Sequence, residues 1–406
     1  MQSIKETHIG IVGAGPVGVV AAIAFIQKGF KVTLIEAEAS IDHGPRAATT
    51  HPSTLEMLAG LGLLEEFQSL GLVARHFQHW DGVDMTPQVE FDHAVLKDET
   101  PYPYVVQTEQ HKLAELGLRR LAKSDAAEVL MGTTVQAIGQ DENGVTVDIH
   151  NEGGDDRRVF DYLVGCDGGR SFVRKSMDIE FEGYTWPERF LVLTSLFDFE
   201  RALGCRFRCY IAHPDEWSNL FKVMGDDMKG RWRAVFRAGE NETDEEAFTD
   251  ASVSRRFAQI IDGHPLEKVV HRNIYRVHQR VAKSFRKGRV FLAGDAAHVN
   301  NPMGGLGLNC GIHDAMDLAD TLHQVTRGAA DASLLERYDR RRRPLNIEFV
   351  QQQTIANKKR LEERDPAQRQ ENFNELRRIA DDPVRHRQFL LRTSLIESVR
   401  KAAKIH

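Results

Sequence analysis

The sequence predicts an α/β protein in which a Rossmann-like FAD-binding domain is interrupted by an antiparallel-sheet substrate domain and followed by a helical C-terminus. Three observations predict it. Gly13-x-Gly15-x-x-Gly18 follows a short apolar strand and opens a helix, the context a dinucleotide loop requires. Far downstream, Gly288 to His298 reads as a buried strand, Val290 to Ala293, that ends on Gly294-Asp295 and leads through Pro302-Met303-Gly304-Gly305 to a helix from about Leu308. Between them, from about 181 to 275, runs of alternating polarity replace the α/β texture. Two strand-end elements so far apart suggest one FAD held along its length rather than NAD in a single crevice.

His8 to Val12 is the first strand, Pro16 to Lys28 the helix, and Lys31 to Ile35 the second strand, ending on Glu36, which makes a compact βαβ unit. His51 to Phe67 has helical periodicity punctuated by Gly60 and Gly62, and Thr108 to Lys123 is a further helix. Thr133 to Ile149 alternates around Asn143-Gly144, a hairpin signal. Arg157 to Val164 reads as a strand that stops at Gly165-Cys166-Asp167-Gly168-Gly169. Strands are then expected at Phe190–Phe199, Arg206–Ala212, Asn219–Met224 and Arg231–Phe236, with a helix over Asp244–Ile261. The resulting organisation is a first FAD-binding part over 1–180, with about 72–100 contributing to the substrate domain. The antiparallel-sheet substrate domain spans 181–278, the second FAD-binding part 279–345, and a helical segment 346–406.

A formal net charge of −6 gives no global attraction to nucleic acid. No apolar run approaches the roughly 20 residues that span a bilayer. Met1 to His8 is polar and enters the first strand directly, so no signal peptide is expected. Four cysteines without CxxC or zinc spacing suggest reduced thiols, a cytoplasmic location and no metal site. Residues 340–406 hold 17 Lys/Arg against 9 Asp/Glu, with a basic run from Arg340 to Arg343. Because these cations are interleaved with acids and apolar positions, they suit a helical tail packed on an acidic body better than a polyanion or membrane contact.

In the first loop Gly13 allows the tight turn, Gly15 lets the backbone approach a pyrophosphate, and Gly18 lets helix and strand pack closely. The anion then meets the free N–H groups of a helix N-terminus. Glu36 is placed to accept a ribose hydroxyl and, by repulsion, disfavours a 2′-phosphate. Asp167 has two readings, a cap for the helix it opens and a cofactor contact. Ser171 and Arg174 downstream favour the contact. Asp295 has the same two readings, and its buried strand again favours the cofactor.

Taken together, Gly13-x-Gly15-x-x-Gly18, Glu36, Pro45-Arg46-Ala47, Asp167-Gly168 and Gly294-Asp295-Ala296-Ala297-His298 resemble the single-component FAD-dependent aromatic hydroxylases. The resemblance runs from about Ile9 to Arg343 and is strongest to the 3-(3-hydroxyphenyl)propionate and phenol hydroxylase branch. It implies FAD as cofactor, NADH or NADPH as co-substrate, and hydroxylation of a phenolic or related aromatic compound by O2 through a flavin C4a-hydroperoxide. A homodimer is compatible with it, and neither nucleic acid nor membrane is expected as a partner. It further implies that the Asp-Gly segment touches flavin and nicotinamide and that the Gly-Asp segment holds ribityl and pyrophosphate. Arg46 and Gln107 would line the adenosine-diphosphate path, and Pro302 to Asn309 would run beside the isoalloxazine. The implied cofactor set is Gly13, Gly15, Pro16, Val17, Gly18, Glu36, Ala37, Arg46, Gln107, Val135, Asp167, Gly168, Gly294, Asp295, Pro302, Gly305, Gly307, Leu308 and Asn309. The catalytic candidates are Tyr210, His213, Arg46 (as a gate) and Pro302.

On the substrate side, Arg208, Trp217, Phe221, Arg233 and Phe236 join Tyr210 and His213 as candidates, each with sheet packing as an equal alternative. Tyr210 or His213 would deprotonate a phenol and an arginine would meet a carboxylate. His51 is either a flavin neighbour or a helix-start residue, and His298 reads as structural. Two departures from the family pattern stand out. Only about sixty residues follow Leu345, too few for the thioredoxin-like domain many relatives carry, and Leu306 stands where relatives often have Gln. Trp80, Trp186, Trp217 and Trp232 lack the Trp-x-Trp arrangement of flavin halogenases. A flavin reductase or dehydrogenase without oxygen transfer and a non-catalytic flavin-binding protein are the competing readings.

Overall fold

The computed structural model describes residues 7–46 and 48–406. The expected polar leader falls largely on Met1 to Glu6 and one motif position on Ala47, which lie outside the described residues.

A six-stranded sheet carries the dinucleotide unit, in the order Arg286–Lys287, Val290–Leu292, Tyr162–Gly165, His8–Val12, Lys31–Ile35, Ala127–Leu130. Every pair is parallel except the outermost, Arg286–Lys287 with Val290–Leu292. Its central strands are largely apolar because both faces are covered, with Thr33 a buried polar exception whose hydroxyl is hydrogen-bonded to Glu128 at 2.9 Å. The helix Pro16–Gln27 buries every residue from Gly18 to Phe25, and Gly307–Thr326 packs beside it.

An eight-stranded sheet forms the second layer, in the order His298–Val299, Val269–Ala282, Phe181–Ser195, Arg231–Ala238, Ser218–Val223, Arg208–Ala212, His76–Asp81, Thr86–Asp92. It is antiparallel but for one pair, Arg208–Ala212 with His76–Asp81. Its alternating residues feed two cores. Phe190, Val192, Tyr210, Val235 and Met303 share one face, and Leu191, Leu193, Ile211, Trp232, Ala234 and Phe236 share the other. The strand Val269–Ala282 runs straight through the expected boundary at 278.

Several elements differ from expectation. The run Arg157–Val164 is two strands in different sheets. Gly154–Phe160 completes an antiparallel trio with Val145–Asn151 and Thr134–Gln140, while Tyr162–Gly165 joins the parallel sheet. Asp161 is the pivot: its N–H donates to the His8 carbonyl at 2.9 Å and its carboxylate accepts the His8 N–H at 2.8 Å. Phe181–Ser195 replaces the expected Phe190–Phe199, because Asp198 caps a short helix, Phe199–Leu203. The expected helix over 244–261 breaks in two, Asp244–Ala247 and Asp250–Ala258, where Thr249 caps the second. The helical run over 51–67 likewise splits into Pro52–Gly60 and Leu64–Ser69.

From Glu336 the chain is helical to Ala402. Pro344 lacks the N–H the helix needs, and a π-helical turn, Ile347–Gln351, absorbs the defect. The basic run turns inward: Arg341 pairs with Asp317 at 3.0 Å, Arg342 with Asp314 at 2.7 Å and Arg343 with Glu182 at 2.8 Å. Glu99 receives both Arg387 and Arg400, so the tail clasps the body. No helix among the described residues is long and apolar enough to cross a membrane.

Candidate active site

The glycine loop is built for close approach. Gly13 has φ +104°, and a Cβ there would lie 2.5 Å from the Cys166 carbonyl oxygen. A Cβ on Gly18 would lie 1.9 Å from the Gly13 oxygen, whereas one on Gly15 would meet nothing within 4 Å. Two glycines are therefore required by the protein itself, and Gly15 faces open space. Pro16 starts a helix whose first turn carries no side-chain cap. Glu36 accepts the Ala14 N–H at 2.7 Å and the Glu38 N–H at 3.0 Å, so its carboxylate sits at the rim of the loop beside exposed Ala37. The Glu36 carbonyl receives Thr133 at 2.8 Å, which sets buried Val135 close behind the rim.

The downstream Gly-Asp turn meets the same helix. Val17 fits against Gly294, which has φ +62°, and a Cβ on Gly311 would lie 2.7 Å from Val17 and 2.9 Å from the Gly294 Cα. Asp295 is solvent-exposed and makes no hydrogen bond among the described residues. It nevertheless lies in a recess where desolvation holds its carboxyl above the usual range. Behind it, Asp314 Oδ2 accepts the Gly294 N–H at 3.2 Å and lies 2.6 Å from His298 Nε2, and Oδ1 accepts Arg342 Nε at 2.7 Å. Burial opposes charge on both acid and imidazole. The opposing cations nevertheless keep Asp314 below its ordinary pKa, and Asp314 with Cys310 lifts His298 to about 10. His298 is thus structural.

At the Asp-Gly segment the capping alternative accounts for both carboxylate oxygens of Asp167. Oδ1 accepts the Ser171 hydroxyl at 2.6 Å and Oδ2 the Val173 N–H at 3.0 Å, at the start of the helix Phe172–Ser176. Burial still raises the Asp167 carboxyl above its usual value. Arg174 donates to the carbonyls of Ala296 at 2.8 Å and Gly169 at 2.9 Å and lies over the Phe181 ring, tying this segment to the Gly-Asp turn. Gly168 borders open space.

Segment 48–51, Gln107 and the loop 302–309 form one knot. Asn309 Oδ1 accepts the His51 N–H at 2.8 Å, and its Nδ2 donates to Thr49 at 2.9 Å and Gly305 at 2.6 Å. A Cβ on Gly305 would lie 2.8 Å from Thr49 Cβ. Pro302, half-buried, accepts the Gly305 N–H at 3.0 Å, and Gly307 and Leu308 begin the helix behind. Gln107 is fully buried. Its Oε1 accepts Thr49 Oγ1 at 2.5 Å, but its Nε2 and the neighbouring Thr50 hydroxyl have no partner. Arg46 is exposed and pairs with Asp42 at 2.8 Å, while its carbonyl accepts Arg233 Nη1 at 2.9 Å from the large sheet.

Opposite this knot stands the sheet face that carries Tyr210. Asn219 Nδ2 contacts Met303 Sδ at 3.2 Å, so this face meets the 302–305 loop directly. Arg208 is only 3% exposed; its Nη2 donates to the Tyr210 hydroxyl at 3.2 Å, and its Nε and Nη1 have no partner. It lies 5.0 Å from the Phe77 ring centroid. His51, His79 and His93 surround it. Each is pushed down to about 3, first by burial and then by neighbouring cations, Arg208 among them for all three and Arg360 for His79. A carbonyl can only accept, so the His51 Nε2 that lies 2.8 Å from the Gly304 oxygen carries the proton, and the partnerless His51 Nδ1 carries a lone pair. His79 and His93 were not singled out from the sequence, because no motif marks them and only strand pairing brings them here.

Three candidates are placed elsewhere. His213 Nδ1 accepts the Asp215 and Glu216 N–H groups at 3.2 and 3.3 Å, and its side chain lines a separate cavity of about 320 Å³ with Trp186, Trp217 and Lys358. Trp217 donates from Nε1 to Glu362 at 3.1 Å on that same wall. Phe236 points to the opposite face of the sheet, as the period of two requires. Phe221 stays with Tyr210, edge-on at 5.8 Å.

These residues fit FAD. Gly15 opens onto space at a helix N-terminus without a side-chain cap, and among the described residues Asp295 has no hydrogen-bonding partner and the buried donors Gln107 Nε2 and Thr50 Oγ1 have no acceptor. Comparison with known proteins agrees. Residues 6–353 match the family described as FAD binding domain. The chain is 34% identical to the para-nitrophenol 4-monooxygenase of Pseudomonas sp. (strain WBC-3), over 94% of both chains. It is 32% identical to the 3-(3-hydroxy-phenyl)propionate/3-hydroxycinnamic acid hydroxylase of Mycolicibacterium smegmatis, covering 84% of this chain but 59% of that one. The crystal structure of p-nitrophenol 4-monooxygenase from Pseudomonas putida DLL-E4 superimposes with a TM-score of 0.90 and 30% identity over 97% of this chain and 98% of that one.

Proposed function

Because this chain belongs to the FAD binding domain family, among the single-component aromatic flavin hydroxylases, we propose that it is an FAD monooxygenase that uses NAD(P)H and O2 to hydroxylate a phenol bound as its anion. The observation that carries the substrate reading is Arg208: a buried guanidinium with two nitrogens, Nε and Nη1, that have no hydrogen-bond partner among the described residues, ringed by imidazoles that burial keeps neutral. A buried cation of this kind calls for an anion.

FAD, when bound, supplies the hydride acceptor and the site of oxygen activation. The chain supplies the rest. The helix at Pro16, Glu36 and Asp295 hold the cofactor, with Arg46, Gln107 and Val135 along its adenosine side and Pro302 to Asn309 along its ring. Phe77, Tyr210 and Met303 wall the substrate space with apolar surface and exclude water. Arg208 Nη1 and Nε grip the phenol oxygen, and its charge favours the ionised form, which enriches the ring carbons in electrons. His51 Nδ1, with its free lone pair, is the acceptor for the departing phenolic proton, and Tyr210 orients Arg208. Arg46, tethered only through its carbonyl to Arg233 and by an exposed ion pair, is free to gate the flavin edge. Either NADH or NADPH would serve as hydride donor.

Purified protein should be yellow and release FAD on denaturation. NAD(P)H oxidation should rise with a matching phenol from a panel that includes 4-nitrophenol and 3-(3-hydroxyphenyl)propionate, with a product one oxygen heavier. Colourless protein would end the reading. Phenol-stimulated NAD(P)H use that yields only hydrogen peroxide across the panel would favour a flavin reductase or dehydrogenase without oxygen transfer.

A further inference from the structure

Helix Gln110–Leu121 carries His111 and Glu115 one turn apart on one face. Over that face lie His43, from the loop after Lys31–Ile35, and Asp226, from the turn between Ser218–Val223 and Arg231–Ala238. The His43 and His111 rings stack at 4.2 Å with 11° between planes. His43 Nε2 lies 2.8 Å from Glu115 Oε1, and His111 Nε2 lies 3.0 Å from Asp226 Oδ1. One ligand atom from each of His43, His111 and Asp226 falls within 4.8 Å of the others.

We propose that His43, His111, Glu115 and Asp226 form a site for a divalent transition-metal ion of the Zn2+ type, which fastens the Arg46 loop to the large sheet. The donor set is two imidazoles and two carboxylates, the number and kinds of ligand a tetrahedral Zn2+ site uses. Two carboxylates balance the charge of the ion. Lys112, the nearest cation on the helix, does not compete, because Glu109 at 3.0 Å and the Gly225 carbonyl at 2.7 Å already engage it. A tetrahedral site brings ligand atoms to about 3.4 Å apart for bonds of ~2.1 Å, so the widest gaps must close by up to about 1.4 Å while the His43–Glu115 and His111–Asp226 contacts open slightly. The parallel rings must also part, since a metal lies in the plane of each imidazole it binds. His43 can do this: its side chain is 54% exposed, whereas His111 is buried and stays as the anchor. His111 Nδ1 has no acceptor among the described residues, so nothing fixes the ring's orientation or raises its basicity, and an exchangeable ion is expected.

The consequence is mechanical. His43 precedes Arg46 by three residues, and Arg46 is otherwise held to the sheet through the Arg233 hydrogen bond. A metal clasp adds a second tether from this loop to the sheet, so Zn2+ should slow any turnover that needs the loop to move.

The test uses chelator-stripped holoprotein titrated with Zn2+ against a chromophoric chelator, with melting temperature as a second readout. One equivalent should bind and raise the melting temperature by several degrees. His43→Ala and Asp226→Asn should each weaken binding at least tenfold while FAD content and metal-free NAD(P)H oxidation stay unchanged. Mg2+ should not substitute. Absence of stoichiometric Zn2+ binding, or binding that survives when His43→Ala and Asp226→Asn are combined, overturns the proposal. Neither readout depends on the substrate reading, so the two fail separately.

Discussion

His298 Nε2 lies 2.6 Å from Asp314 Oδ2, and neither side chain is exposed to solvent. The same carboxylate oxygen accepts the Gly294 N–H, so a buried ion pair sets the pitch of the turn that presents Asp295. An Arg342 guanidinium on the other oxygen completes the brace.

The pair makes stability depend on pH in a definite direction. The pKa of His298 is raised in the folded state, so its contribution is complete below about 6.5, the unfolded value, and is lost as pH climbs through about 10. That of Asp314 is lowered, so its contribution is present above the usual carboxyl range and is lost in acid. Melting temperature should therefore fall on the alkaline side between about 6.5 and 10. In His298→Gln that alkaline decline should flatten.

Asp295 and Asp314, on either side of the Gly294 turn, should behave oppositely. Asp314→Asn leaves a buried histidine and arginine without their counter-charge and should cost about 3–5 kcal/mol, seen as a large drop in melting temperature. Asp295→Ala removes a carboxylate with no hydrogen bond to the protein. The apoprotein should melt unchanged while FAD affinity falls at least tenfold in a fluorescence titration.

Gly311→Ala probes the closest contact of the cofactor unit. Its methyl group would stand 2.7 Å from Val17 and 2.9 Å from the Gly294 backbone. Overpacking of this kind costs about 1–3 kcal/mol, and the displaced turn should lower the flavin-to-protein ratio of purified material.

Arg208→Met should separate substrate binding from flavin binding. Hydrogen bonds to a charged group are worth about 1.5–3 kcal/mol, so KM for the phenol should rise roughly 10- to 100-fold with FAD content intact. The rate should also recover toward alkaline pH, where the phenol ionises unaided. An unchanged KM and pH profile would remove Arg208 from the substrate site.

The cofactor half was legible because each of its elements is local. The positive φ of Gly13 belongs to a tight turn, close packing of Gly18 on that turn is five residues away, and a strand end presents Glu36 or Asp295; only the second reason for Gly13, the approach of the Cys166 carbonyl, is distant. The substrate half was not, because its neighbours are set by register across strands. Tyr210 and Phe236 look alike in sequence, yet the even count between them is offset by the strand-to-strand turns, and they end on opposite faces. His79 reaches Tyr210 only through the parallel pairing of His76–Asp81 with Arg208–Ala212, a connection no local signal announces. The split at Asp161 was hidden for a related reason: one continuous β-prone run serves two sheets.

The order of strands in the parallel sheet also constrains how the chain can fold. Its first strand, His8–Val12, pairs with Tyr162–Gly165, which in turn pairs with Val290–Leu292. During synthesis Lys31–Ile35 can cover one side of this strand early, but the other side must wait for a partner made much later, and that partner for Val290–Leu292, while most of the intervening sheet is laid down. Such high contact order slows folding and leaves apolar edges uncovered for longer. Truncated or stalled chains that end before Val290 should be the aggregation-prone species, and chaperone demand should be concentrated there.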